Sequence, residues 1–206
     1  MPFLSALRTI RNVPVLRTLA LMVPMLGMLS GCTGAIIGAG ATVGVAAYQE
    51  RGLEQGARDT KLATQIRANY LTKNGDIATY VGIEVYEGRA LLTGLVETEE
   101  LRAEAVRLTW EITGLKDVIN EIQLRAEEGV VEFLHDSWIT SQLQAKITFD
   151  ENIMAINYSI ETVNGTIYLI GIAMDQAELD KVISIARNIE RVRRVISHVR
   201  IKEPDA

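Results

Sequence analysis

The sequence VNGTIYLIGIA at residues 163–173 predicts a β-hairpin. Asn-Gly between two runs of alternating apolar residues is a strong short-range signal for a two-residue turn. Here Asn164-Gly165 joins a strand predicted over 159–163 to one predicted over 166–172. A similar segment, EGRALLTG at residues 87–94, joins predicted strands over 81–86 and 90–95 through Glu87-Gly88-Arg89. The chain therefore holds two hairpins of one type.

The two hairpins belong to a duplication with an offset of 77 residues. The register holds without a gap from residue 59 to residue 124, and identical residues recur at paired positions: Asp59 and Asp136, Gln65 and Gln142, Gly88 and Gly165, and Gly94 and Gly171. A register kept over that length indicates two copies of one structural unit. The boundary between the copies falls near residues 126–131.

Each copy predicts the order helix, strand, strand, helix, strand. Apolar residues at helical spacing predict a helix before and after each hairpin. The first-helix stripes are Leu62, Ile66, Tyr70 and Ile139, Leu143, Ile147; the second-helix stripes are Leu101, Ala105, Leu108, Ile112 and Leu179, Ile183, Ala186, Ile189. Closing strands are predicted over 118–124 and 195–201. The fold class is α+β, each unit being a three-stranded sheet with two helices on one face.

A unit of about 70 residues is marginally stable alone. We therefore expect the two copies to pack together or to lean on a membrane.

The amino terminus has the pattern of a secretory signal peptide over residues 1–31. Arg8, Arg11 and Arg17 precede an apolar run over 19–29, which is broken by Pro24 and is shorter than the roughly 20 residues of a membrane-spanning helix. The run ends in Leu-Ser-Gly-Cys, which resembles the lipobox of bacterial lipoproteins, and this resemblance implies cleavage before Cys32 and lipidation of its thiol. The alternative is that Cys32, the only cysteine, is a small buried apolar residue. In lipoproteins of this type, Thr33 after the cysteine implies the outer membrane.

Residues 32–57 are predicted to be a Gly/Ala-rich tether that follows the lipidated cysteine. Within this segment Gly34, Gly38, Gly40 and Gly44 also have the four-residue spacing that lets helices approach closely in a membrane. If this spacing is used for helix contacts, residues 34–47 would lie at the membrane interface or self-associate there, instead of forming a flexible tether.

Charge and composition argue against several functions. The net charge is −5, and without the three arginines of the first 31 residues it is −8, which disfavours a nucleic-acid partner. His135 and His198 are the only histidines and lie in different predicted elements, so we expect no metal site, no cofactor, no small-molecule substrate and no enzyme. Asp59 and Asp136 are expected to cap helices. The hairpin glycines do not have the spacing of a phosphate-binding loop.

The hairpins EGRALLTG and NGTIYLIG, with the closing segments GLKDVINEI (114–122) and RVRRVISHV (191–199), resemble the BON domain. After a lipobox, two copies resemble outer-membrane lipoproteins with tandem BON domains, and DSWITSQLQAKI (136–147) is similar to their first helix of the second domain. The resemblance implies BON domains at 58–126 and 135–203, joined by a linker at 127–134. It also implies a lipid-anchored protein on the periplasmic face of the outer membrane, which binds phospholipid surfaces and supports envelope integrity.

The resemblance assigns phospholipid contact to the helix at 137–147, with Trp138, Ser141, Gln142, Ala145 and Lys146 as candidate residues. Trp138 lies away from the core stripe on the same side as Ala145, and Trp favours membrane interfaces. The alternative is that Trp138 packs between the two domains. A candidate basic patch comprises Arg191, Arg193, Arg194, Arg200 and Lys202, which either attract anionic lipid or form an ordinary solvated face.

A second function is compatible with the same sequence. The two domains could bind envelope proteins or another copy of the chain, as an interaction or structural module in envelope assembly or stress response, with no direct recognition of lipid.

Overall fold

The computed structural model describes residues 49–125 and 133–203. The predicted signal peptide, Cys32, most of the tether and most of the linker lie outside the described residues. Two domains are described, and each has the predicted order of elements.

The first domain begins with α1 (Gly52–Lys73), which a short helix α2 (Gly75–Tyr80) follows. The hairpin β1 (Val81–Tyr86) and β2 (Arg89–Val96) comes next, then α3 (Glu99–Trp110), β3 (Asp117–Asn120) and β4 (Gln123–Leu124). The side chain of Asn74 caps α2 by accepting from the amides of Asp76 and Ile77, and Thr98 caps α3.

The second domain repeats this order. It comprises α4 (Phe133–Thr148), a 3₁₀ turn (Ala155–Asn157), β5 (Tyr158–Val163), β6 (Thr166–Ala173), α5 (Gln176–Arg187) and β7 (Arg194–Ile201). Asp175 caps α5 by accepting from the amide of Glu178 at 2.8 Å.

Both sheets have the hairpin's second strand in the centre. β2 pairs antiparallel with β1 and parallel with β3 and β4, and β6 pairs antiparallel with β5 and parallel with β7. The predicted closing strand of the first domain is in fact two short strands, because the pairing breaks at Glu121–Ile122 and Ile122 is buried in the core.

Each domain has its own helix-covered core. The predicted first-helix stripes are buried in both: Leu62, Ile66 and Tyr70 in one, and Ile139, Leu143 and Ile147 in the other. They pack against one face of the sheet together with the apolar residues of α3 or α5. The α+β prediction, with two helices on one face of a small sheet, is confirmed.

The opposite faces of the two sheets pack against each other. Side chains alternate between the faces of a strand, and the residues that point away from the helices form a third buried cluster: Tyr86, Leu91, Tyr168, Ile170 and Ile172. Polar contacts surround this cluster, among them Gln123 Nε2 to the Tyr168 hydroxyl at 2.8 Å and His198 Nε2 to Glu121 Oε1 at 2.9 Å. The two copies therefore pack together, which is one of the two arrangements expected from their small size.

The structure corrects three expectations from the sequence. Residues 52–57, assigned to the tether, begin α1, and residues 133–134, assigned to the linker, begin α4. Asp59 and Asp136 lie inside helices rather than before them. Instead of capping a helix, each carboxylate accepts hydrogen bonds from the two backbone amides of its own hairpin turn.

Candidate functional site

The helix α4 lies on the outer side of the second domain. Ile139, Leu143 and Ile147 anchor it in the core, and Thr140 Oγ1 shares a hydrogen bond with Thr162 Oγ1 of β5 at 2.7 Å. These contacts fix the rotation of α4 about its axis. Its remaining side chains therefore form an outward face with a defined composition.

The candidate lipid-contacting residues lie on this outward face. Trp138 is 43% exposed, Ser141, Ala145 and Lys146 are exposed, and Gln142 is half-buried. Trp138 is not a member of the buried cluster between the sheets. The Trp138 side chain is therefore exposed on α4 rather than packed between the two domains.

Phe149, which is not among the residues predicted to contact lipid, extends the same face. Its amide donates to the Ala145 carbonyl at 3.2 Å, so the residue continues the helical path, and 86% of it is exposed. At about 100° per residue, Trp138, Ala145 and Phe149 lie within about 40° of one another around the axis. The sequence does contain a signal for Phe149. Ala145 and Phe149 follow Trp138 by 7 and 11 residues, a helical spacing that places all three on one side of the helix, away from the core stripe.

Lys146 is the only basic residue on this face, and acidic residues follow the helix. Asp150 accepts a hydrogen bond from Lys181 Nζ at 2.7 Å. This bond and one from the Asn152 amide hold the pKa of Asp150 below its usual value. The ion pair with Lys181 partly compensates the negative charge at this end of α4.

The five residues of the candidate basic patch do not share one environment. Arg200 pairs with Glu87 of the first domain at 2.5 Å, and Lys202 pairs with Glu50, just before that domain, at 3.0 Å. Arg194 is exposed in β7. Arg191 and Arg193 line an open cavity with His135 near the start of α4. The patch is thus divided between the domain junction and the hairpin end of the second domain.

The described residues contain no cluster of three or more His, Cys, Asp or Glu side chains suited to a metal ion. His135 contacts Arg191, whereas His198 pairs with Glu121, so the two histidines serve different parts of the fold. In the described part of the chain, every helix is too short or too polar to cross a bilayer.

The duplicated αββαβ unit, with its central parallel strand pair, corresponds to a known domain. The sequence profile of the BON domain matches residues 58–126 and 135–203. The chain belongs to the BON-domain family. Its two BON domains pack through the sheet faces that their own helices leave uncovered.

Several relatives match most of this chain. The outer membrane lipoprotein DolP of Haemophilus influenzae is 28% identical over 88% of this chain and 94% of its own length. An uncharacterised protein of Anaplasma centrale is 41% identical over 61% of this chain and 84% of its own length. The osmotically inducible protein Y of Escherichia coli K12 is 25% identical over 70% of this chain and 73% of its own length.

Among solved structures, the C-terminal domain of CdsD, the structural protein of the type III secretion system of Chlamydia trachomatis, has a TM-score of 0.30. It is 18% identical and covers 70% of this chain and 67% of that chain.

Proposed function

We propose that this chain is an outer-membrane-anchored periplasmic lipoprotein that binds phospholipid surfaces through α4 of its second BON domain and supports envelope integrity. The observation that carries the proposal is the pair of exposed aromatic side chains, Trp138 on α4 and Phe149 directly after it, which lie on one side of the helical path. The match to an outer membrane lipoprotein over 88% of the chain supports the proposed location.

Two aromatic residues on one side of a helix suit the membrane interface. Trp138 and Phe149 are 11 residues apart, which is about 16 Å along a helix axis. Anchors at that spacing favour a helix that lies in the plane of the membrane surface, as interfacial amphipathic helices do. The Trp138 indole keeps its N–H at the hydrated boundary while its ring is buried.

The lipid anchor complements this face. A Cys32 with two or more acyl chains would hold the protein stably at the membrane, whereas one chain binds only marginally. The tether would then keep α4 at a high effective concentration near the same membrane, so a weak interaction of α4 suffices.

Vesicle co-sedimentation of residues 48–206, which lack the anchor, tests the proposal with zwitterionic and anionic lipid at low and high salt. We expect Trp138→Glu and Phe149→Glu each to weaken binding at least tenfold, because a buried charge opposes insertion. Trp110→Glu is the matched control, since Trp110 is a 51% exposed tryptophan in the first domain. Thermal melts establish that all three variants are folded.

Either of two results would overturn the proposal. One is binding that neither α4 variant weakens. The other is that the unaltered protein binds neither vesicle, which would leave membrane attachment to the acyl chains and assign the BON domains to an envelope protein or a second copy of the chain.

A further inference from the structure

Arg191 has a positive φ angle, and the equivalent residue of the first domain, which also has a positive φ, is Gly114. The turn before the closing strand reads TGLKDV at 113–118 and ERVRRV at 190–195. Gly114 has φ 107° and Arg191 has φ 68°. The left-handed region is unfavourable for a residue with a Cβ atom and costs glycine nothing. The second domain therefore has an arginine at a position where glycine would be relaxed.

The Arg191 side chain lies in an open cavity of about 390 Å³ beside α4. Its Nη1 atom lies 2.6 Å from His135 Nε2 and 3.1 Å from Nδ1. Arg193 lines the same cavity and donates to Asn164 Oδ1 at 2.7 Å. Two guanidinium groups and one imidazole thus border one space.

Among the described residues, two carboxylates lie near this cavity, and neither makes a hydrogen bond to Arg191. Asp136 lines the cavity, but its two oxygens accept from the amides of Asn164 at 2.7 Å and Gly165 at 2.8 Å. Glu190 is 77% exposed, and its oxygen is 3.8 Å from Arg191 Nε, which is beyond hydrogen-bond distance. A guanidinium has five N–H donors, so donors of Arg191 remain for a ligand.

We propose that His135, Arg191 and Arg193 form a binding site for a phosphate oxyanion. Guanidinium groups bind phosphate through paired, charge-assisted hydrogen bonds. Backbone conformations of this kind cluster at functional sites, where the side chain has a role that offsets the strain. The site extends the proposed function because a phospholipid headgroup carries such a phosphate, and His135 is three residues before Trp138 on α4.

Calorimetric titration of the mature chain in a maltoside detergent, which contains no phosphate, tests the site. The ligands are inorganic phosphate and glycerol phosphate, each compared with chloride at equal ionic strength. We expect Arg191→Gly and Arg191→Asn to weaken phosphate binding at least tenfold. Both should keep or raise the melting temperature, since glycine and asparagine tolerate a positive φ. Arg187→Gln removes one positive charge from an exposed residue at the end of α5, four residues before Arg191, and should bind phosphate as the unaltered chain does.

The proposal is overturned if the unaltered chain binds phosphate no better than chloride, or if Arg191→Gly binds it equally well. Phosphatidylglycerol vesicles identify the source of the phosphate, because Trp138→Glu should lose vesicle binding and keep phosphate binding. Phosphate binding without vesicle binding supports this site and contradicts the proposed membrane function. Vesicle binding through Trp138 without phosphate binding supports the proposed membrane function and contradicts this site.

Discussion

Asp59 and Asp136 each connect the first helix of a domain to its hairpin turn. Asp59 accepts from the amides of Glu87 and Gly88, both at 2.8 Å, and pairs with Arg51 at 3.1 Å. Glu87 has φ 53°, so the turn includes a residue with a Cβ atom in the left-handed region. A carboxylate that binds both turn amides stabilises this conformation, because bonds to a charged acceptor are strong.

Replacing Asp59 with alanine should therefore destabilise the protein by about 3 kcal/mol. The change removes the hydrogen bonds from the Glu87 and Gly88 amides and the ion pair with Arg51, and it leaves the buried Gly88 amide without its acceptor. Urea unfolding measures the change in free energy. Asp180→Ala is the control, since Asp180 is exposed on α5 and, within residues 49–125 and 133–203, bonds only to Gln176; this change should stay within about 0.5 kcal/mol of the unaltered protein. Equal effects of the two changes would contradict the assigned role of Asp59.

Gly94 and Gly171 allow the hairpin to pass close to the segment that precedes its first strand. A Cβ atom on Gly171 would lie 2.0 Å from the carbonyl oxygen of Asn157, and one on Gly94 would lie 2.0 Å from that of Tyr80. Their φ angles are 154° and 123°. Glycine therefore recurs at this position of the repeat because the central strand has no room for a Cβ atom there.

Gly171→Ala should destabilise the second domain by about 3 kcal/mol or more, because a backbone carbonyl cannot move aside as a flexible side chain can. Gly75→Ala is the matched control. Gly75 has open space around its Cβ position and lies in the helix α2, so this change should be neutral or slightly stabilising. Thermal melts of both variants check the prediction, and a Gly171→Ala melt like that of the unaltered chain would refute it.

The interface between the two sheets holds a pair of carboxylates, Glu84 and Glu161, at equivalent positions of the repeat. Burial raises the pKa of Glu84, although a hydrogen bond from Ser159 and the charge of Arg51 oppose the rise. Burial and the nearby Glu84 raise the pKa of Glu161 to about 7. The counterpart of Ser159 in the first domain is Gly82, which has no side chain to donate to Glu161. Glu161 is therefore the more proton-dependent member of the pair.

The assembled protein should lose stability as pH rises from about 4.5 to 7. The folded state retains a proton on Glu161 over this range and the unfolded chain releases it, so the folded state is favoured at the acid end. Glu161→Gln should weaken this dependence, leaving the part that Glu84 contributes, and raise the stability at pH 8 by at most about 3 kcal/mol, with little effect at pH 4.5. Thermal melts of both proteins at pH 4.5 and at pH 8 measure the difference in stability. The exposed Glu203→Gln should change neither, and a Glu161→Gln variant that is less stable at pH 8 would contradict the assignment.

The order of elements was predictable because its signals are local. Asn164-Gly165, the helical stripes through Ile66 and Leu143 and the 77-residue register lie within short windows or recur at a fixed interval. They predicted the fold of each domain and the duplication, but they left two environments open for Trp138. Phe149 was within reach of the same periodicity, but the predicted helix ended at residue 147.

Only the tertiary structure revealed how distant residues combine. Arg200 pairs with Glu87 across 113 positions of the chain, which divides the candidate basic patch, and Asp59 bonds to a turn 28 and 29 residues away. The burial of Glu84 and Glu161 likewise depends on which sheet faces meet. Helical and strand periodicity indicates which side of an element is apolar, whereas its partner depends on how the domains pack. Local patterns therefore determined the two BON folds, and packing between the domains decided which charged and aromatic side chains remain available to bind.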